Sequence, residues 1–320
     1  MNFNRTCVEE AAYPVTAIPP QLDIMVTVAC NASCAFCVQE ATWKPTNTND
    51  DIFLKRAKET FDKFYHLGGR RVVITGGEPT LFMSRVLDVL DIMHPYGELE
   101  VKAVYTNGGL LLSPCPGRES LTIAQAMREN GLQDVNLSVH HHNDEINNKI
   151  LGLADKPSTA MIISHLLECG LKVRFNLTLQ KGGIDNYQGF SDYINEAFRL
   201  GAKDVYAREL FQYAFNEPKS RTTRDAIRVS QERHIPSSGI IDQALASGEF
   251  EQVDERSETC RDKTEIELHH IPTDQKVYVA DLTIGTEKRD TLPYLIHMPD
   301  GYLYKGWLGE EDKLKTLPHG

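Results

Sequence analysis

The chain of 320 residues contains no run of eighteen apolar residues, so nothing in it reads as a membrane-spanning helix. Its opening stretch, MNFNRTCVEEAAYPVT, lacks the charged-then-apolar layout of a secretory signal, and a cytoplasmic location is expected. A disulfide framework is missing too. Of seven cysteines, three are clustered (Cys30, Cys34, Cys37) and four are scattered (Cys7, Cys115, Cys169, Cys260), a usage suited to a reducing compartment. Positive charge is in short supply, with 34 Lys and Arg against 45 Asp and Glu and a net charge of −11. A nucleic-acid backbone is therefore not the expected partner; neutral or cationic ligands are.

What is present is concentrated in one short loop, VTVACNASCAFCVQE, with cysteines spaced C-x3-C-x2-C. The odd count matters. A structural zinc site closes with four ligands, whereas a 4Fe–4S cluster held by three thiolates keeps one iron free for a small molecule. A zinc loop with a remote fourth ligand is the competing reading. The preceding run, Ile24 to Val28, reads as a buried strand, which puts the loop at a strand's C-terminal end. One strand–helix unit later, Val72-Val73-Ile74-Thr75 breaks into Gly76-Gly77-Glu78-Pro79, a strand end at which backbone can come close to a ligand.

These two motifs, in this order and with Phe36 before the third cysteine, resemble those of the radical SAM enzymes. The resemblance implies a 4Fe–4S cluster on Cys30, Cys34 and Cys37, with S-adenosylmethionine on the open iron. It implies that Gly76, Gly77, Glu78 and Pro79 hold the methionyl amino group, and that a reduced cluster cleaves the cofactor to a radical that takes a hydrogen atom from substrate. Further cofactor-site positions carried over from the family are Asn107 in Thr-Asn-Gly, Ser138, Lys149 for the methionyl carboxylate, Asn176 and Arg208. Glu209 reads either as pocket lining or as a rim ion pair with Arg208. Of His140, His141 and His142, successive residues point to alternate faces, so one facing substrate is expected rather than a metal site.

Along the chain, strand and helix patterns alternate. Asn49-Asp50-Asp51 opens a helix whose Phe53, Ala57, Phe61 and Phe64 recur at helical spacing before Gly68-Gly69. Strands are expected at 71–75, 101–106, 135–139, 173–179 and 204–210, and helices at 83–93, 119–130, 158–168 and 189–199. Six such units imply an α/β fold with right-handed crossovers, a partial (β/α)6 parallel barrel over 21–212. Ligand residues then belong at the C-terminal ends of the strands.

Residues 213–320 are expected to form an α+β extension covering the substrate. A basic stretch, 219–233, precedes an acidic one (Glu249, Glu251, Asp254, Glu255, Glu258) that leads to Cys260. Period-two patterns then suggest hairpins at 265–279 and 294–304. No second cysteine cluster follows, which points away from an auxiliary cluster and toward a redox-neutral outcome. The expected reaction is epimerisation of a small molecule such as an amino sugar, the acidic stretch suiting a cationic substrate, with Cys260 first and Cys115 second as hydrogen donor. A lyase, decarboxylase or dehydrogenase, or a maturase of a peptide or protein, are the alternatives. The short segment 1–20 is expected to leave no room for a cobalamin or leader-peptide domain. An electron donor such as flavodoxin or ferredoxin is expected; nucleic acid and membrane are not.

Overall fold

The computed structural model describes residues 21–37, 48–213, 221–258, 263–284, 295–304 and 313–314. Its first half alternates strands and helices: β1 (Leu22–Met25), α1 (Asp50–His66), β2 (Arg71–Thr75), α2 (Met83–Met93), β3 (Val101–Thr106), β4 (Pro114–Cys115), β5 (Arg118–Thr122), α3 (Ile123–Glu129) and β6 (Asp134–Ser138). The alternation continues through α4 (Asp144–Leu151), α5 (Thr159–Glu168), β7 (Lys172–Leu179), α6 (Tyr187–Leu200), β8 (Asp204–Glu209) and β9 (Gln212–Tyr213). The remainder is α7 (Arg221–Arg233), α8 (Ser238–Ser247), β10 (Phe250–Glu258), β11 (Lys263–His270), β12 (Gln275–Ile284), β13 (Leu295–His297), β14 (Leu303–Tyr304) and β15 (Lys313–Leu314).

Local chemistry explains the helices. The Asn49 side chain accepts from the Asp51 amide at 2.8 Å, and Asp50 and Asp51 meet the positive end of α1. Phe53, Ala57, Phe61 and Phe64 form its buried stripe, as their spacing predicts. Asn186 caps α6 at one end, and Gly201, with φ +99°, stops it at the other. One expected element changes character: 119–130 is not a continuous helix. The Pro116-Gly117 turn folds Arg118–Thr122 back as a strand against Pro114–Cys115, and only then does the Thr122–Gln125 capping box start α3.

The strands β1, β2, β3, β6, β7 and β8 pair in parallel in that order, the expected partial barrel. Its two faces differ in chemistry. Val173, Phe175 and Leu177 of β7, with Val205 and Ala207 of β8, belong to the apolar core beneath the helices. The alternate residues share the other, concave face: Arg174 beside Asp204, Asn176 beside Ser138 and Tyr206, Thr178 beside Arg208. Strict alternation in a parallel sheet marks a sheet covered by helices on one side only.

The expected boundary at 212 ends the strand–helix alternation but not the sheet. β12 adds in parallel beyond β8, with β11 and β10 antiparallel outside it. At the far edge β13 adds in parallel to β1, followed by β14 and β15. Both expected hairpins are present, and among the described residues these strands flank the barrel rather than cross its mouth. Contact with the mouth comes instead from the C-terminal end of α7, where the Arg233 carbonyl accepts from the Lys181 amide at 2.9 Å. No helix among the described residues is long and apolar enough to cross a membrane.

Candidate active site

The cysteine loop is gripped from three sides. From β2, the Gly77 amide donates to the Thr27 carbonyl at 2.9 Å and the Glu78 amide to the Ala29 carbonyl at 2.8 Å. From β3, the Asn107 side-chain amide donates to the Asn31 side chain at 2.7 Å. From α4, the Leu151 carbonyl accepts from the Ser33 amide at 2.9 Å and from the Cys34 thiol at 3.7 Å. The glycines of Gly76-Gly77 thus approach the chain's own backbone. A Cβ on Gly77 would sit 2.2 Å from the Ala29 carbonyl oxygen, and one on Gly76, whose φ is +150°, 2.5 Å from that of Thr27.

Glu78 is fully buried, and its carboxylate is engaged within the protein. One oxygen accepts from the Thr80 amide (3.1 Å), the Thr80 hydroxyl (2.6 Å) and the Thr106 hydroxyl (2.7 Å); the other accepts from the Asn107 amide (2.8 Å). Burial raises its pKa, and these donors oppose the rise. The expected ligand acid is therefore a brace between the loops after β2 and β3. Pro79 starts the 3₁₀ turn Pro79–Leu81 that carries Thr80.

The three thiols share one electrostatic neighbourhood. Burial, then Cys37 and Cys30, push the Cys34 thiol up to about 12, and burial raises that of Cys30 despite the Ala32 amide donating to its sulfur. Thiolates disfavoured in this way are stabilised when cationic iron binds them. Among the described residues no three His, Cys, Asp or Glu side chains surround a single point as they would one mononuclear ion. Each thiolate of a cubane takes its own iron, and Cys30, Cys34 and Cys37 lie on one loop and act on one another electrostatically, which fits such a cluster.

The other expected residues separate into those at the mouth and those elsewhere. Phe36 packs edge-on against His140, with centroids 5.3 Å apart. His140 is the buried member of its run; its Nδ1 accepts from the Thr178 amide at 3.2 Å, which leaves the proton on Nε2. Burial, then Arg208 and Lys156, lower its pKa to about 3, so it is neutral. Ser138, Asn176 and Arg208 lie on the concave face, and the Asn176 side-chain nitrogen is buried with no protein acceptor. Glu209 does not pair with Arg208. It accepts from His234 Nε2 at 2.7 Å and from the Ser237 hydroxyl at 2.7 Å, because adjacent strand residues point to opposite faces.

Lys149 is exposed on α4. The basic residue brought in is Lys156, in the loop after α4: 9% exposed, its ammonium without a protein acceptor, its stem 3.6 Å from where a Gly108 Cβ would lie. Nothing in Asp155-Lys156-Pro157 distinguishes it from a surface lysine, so only the fold reveals it. Cys115 is fully buried as part of the apolar core, in the short strand β4 paired to β5. Cys260 lies outside the described residues. In the acidic stretch, Glu249 accepts from Tyr187 and Ser191 of α6, and Glu251 pairs with His269.

A parallel partial barrel with a three-cysteine loop at the C-terminal end of its first strand defines a class of cofactor-dependent radical enzymes. The family model described as the Radical SAM superfamily matches residues 24–187, half of the chain, and the protein belongs to that superfamily. Its cofactors are accordingly a 4Fe–4S cluster and S-adenosylmethionine. Among individual relatives, the chain is 28% identical over 191 residues to a probable GTP 3',8-cyclase of Sulfurisphaera tokodaii, covering 59% of this chain and 55% of that one. It is 32% identical over 166 residues to a probable GTP 3',8-cyclase of Archaeoglobus fulgidus, covering 52% and 51%. The chain thus spans about half the length of the curated relatives it matches. Among solved structures it is similar to SuiB of Streptococcus suis bound to S-adenosylmethionine, with 18% identity, a TM-score of 0.48, and 72% and 48% of the two chains covered.

Proposed function

We propose that Cys30, Cys34 and Cys37 hold the cluster and that the enzyme takes a hydrogen atom from a small molecule bound over the concave face. The observation carrying this reading is the three-thiol loop, braced by Gly77, Asn107 and Leu151, at the rim of a polar concave face. When loaded, the cluster and S-adenosylmethionine supply the hydrogen-abstracting radical. The chain's own part is positional. Glu78 locks the loops after β2 and β3 together, and Phe36 with His140 closes one wall of the mouth. Asn176 and Arg208 present polar groups to whatever lies above the sheet.

The outcome we propose is redox-neutral. A thiol that gives a hydrogen atom to the opposite face of the substrate radical would invert a carbon centre and become a thiyl radical, to be restored by one electron from the external donor and one proton; Cys260 is the candidate. Its flanking strands β10 and β11 have their facing ends, Glu258 and Lys263, toward the C-terminal side of the barrel strands. Ring closure within a nucleotide, after the name of the relatives, is the second redox-neutral reading, and the uncompensated cations described below favour it.

Anaerobic reconstitution should give about four irons per chain and 5′-deoxyadenosine under dithionite, both lost when Cys30, Cys34 and Cys37 become Ala. Iron that persists in that triple variant would contradict the assignment. Cys260→Ala should still form 5′-deoxyadenosine but yield no inverted product. Full turnover by that variant, with no solvent deuterium in wild-type product, would remove epimerisation and leave ring closure.

A further inference from the structure

We propose that the barrel mouth contains a subsite for an oxyanion of the substrate, a carboxylate or phosphate, formed by Lys156 and Arg208 with neutral His140 as a hydrogen-bond donor. The proposal rests on the radical SAM reading and names the substrate class within it.

The argument is one of hydrogen-bond matching. Although the chain is strongly acidic, six carboxylates at the mouth and along the concave face already have donors. Glu78 takes four donors. Glu209 takes His234 and Ser237, and Asp144 takes the amide and hydroxyl of Thr159. Further down the face, Asp204 takes the Arg174 guanidinium, Glu267 takes Lys276, and Glu265 takes the Tyr206 hydroxyl.

Two cations are left over. The Lys156 ammonium is buried with no acceptor, a costly placement unless a ligand supplies one. Arg208 stacks over the Phe211 ring at 5.1 Å and has no carboxylate partner among the described residues. His140 accepts from the amide of Thr178, the register neighbour of Arg208, and Lys156 lies over Gly108 at the C-terminal end of β3, so both cations belong to the mouth end of the sheet. Both also act electrostatically on His140. Burial lowers the Lys156 pKa to about 8, and only the more distant charges of Asp144 and Glu78 oppose this, which an anion at the ammonium would reverse. S-adenosylmethionine carries a single carboxylate, whose two oxygens cannot occupy all the N–H groups of an ammonium and a guanidinium. Donors remain for the substrate, and a fork-shaped guanidinium with an ammonium suits a phosphate or carboxylate. This reverses the sequence-based expectation of a cationic substrate, since Glu249 and Glu251 of the acidic stretch are already engaged by Tyr187, Ser191 and His269.

The test is calorimetric titration of inorganic pyrophosphate into anaerobically reconstituted protein saturated with S-adenosylmethionine. Wild type should bind it. Lys156→Met and Arg208→Gln should each weaken binding at least tenfold, while the affinity for S-adenosylmethionine falls in no more than one of them. Lys156→Arg, with a native circular dichroism spectrum, should retain most of the binding, which separates lost charge from lost folding. No binding by wild type, equal binding by wild type and both variants, or complete exclusion of pyrophosphate by S-adenosylmethionine would overturn the proposal. Failure of the radical SAM reading would show separately, as wild-type protein without iron or 5′-deoxyadenosine formation.

Discussion

At the scale of single residues, the Gly-Gly-Glu-Pro segment fixes the cysteine loop. A methyl group on Gly77 would collide with the Ala29 carbonyl, a backbone atom that cannot swing aside. Gly77→Ala should therefore displace the loop, and iron content after reconstitution, read by absorbance, should fall well below that of wild type. Normal loading would refute this coupling. Glu78 offers a sharper case. Its two oxygens face two fixed backbone donors, the Thr80 and Asn107 amides. An amide side chain has one oxygen, so in either orientation Glu78→Gln sets an N–H against an N–H. The loss should be about 1–3 kcal/mol of stability, measured by urea unfolding. The motif itself was legible in the sequence. That its glycines serve the chain's own carbonyls was not, because the collision involves residues fifty positions away.

Among elements, legibility followed the range of the interactions. Helices α1 and α2 were readable from Asn49, Phe53 and Phe61, and from Val86, Val89 and Leu90, since caps and stripes are local. The β4–β5 hairpin was hidden because Leu121, Ala124 and Met127 recur every three residues, as on a helical face, until the Pro116-Gly117 turn is seen to fold the chain back. The placement of the last strands was out of reach, as no local pattern says which edge a strand will join. That placement has a measurable consequence. β13 and β14 bury Leu295, Ile296, Leu303 and Tyr304 against β1, and burial of one such side chain contributes roughly 1.5–3 kcal/mol. A chain ending at Ile284 should lose several kcal/mol of stability and bind little iron, since β1 carries the cysteine loop. Wild-type urea midpoint and iron content in that truncation would show that the edge strands are dispensable.

For the whole molecule, buried histidines set an acid limit. Burial holds His140 and His297 neutral, lowering each pKa to about 3, and lowers that of His270 as well. Unfolding returns each to about 6.5, so between about pH 3 and 6.5 the unfolded chain binds more protons and stability falls as pH falls. The slope approaches about 1.4 kcal/mol per pH unit for each such histidine. His269 works in the opposite sense: Glu251 and Asp274 raise its pKa, and its contribution is present below pH 6.5 and fades above. Its exposure leaves it screened. The urea midpoint of the metal-free protein should therefore drop between pH 7 and pH 5, less steeply in His297→Gln. An unchanged midpoint would contradict the burial of these rings.

The edge pairing also sets a timetable. Leu22 lies beside Leu295, so the first strand of the barrel receives its outer neighbour only after residue 295 has been synthesised. Until then β1 holds an open edge, paired on one side to β2 alone. Contacts of such sequence separation close late and slowly, and the ribosome-bound chain exposes its thiol loop on a half-built sheet. Cluster insertion during synthesis would meet a pliant loop, and insertion after release a fixed one, so the order of translation and iron delivery bears on the yield of active enzyme.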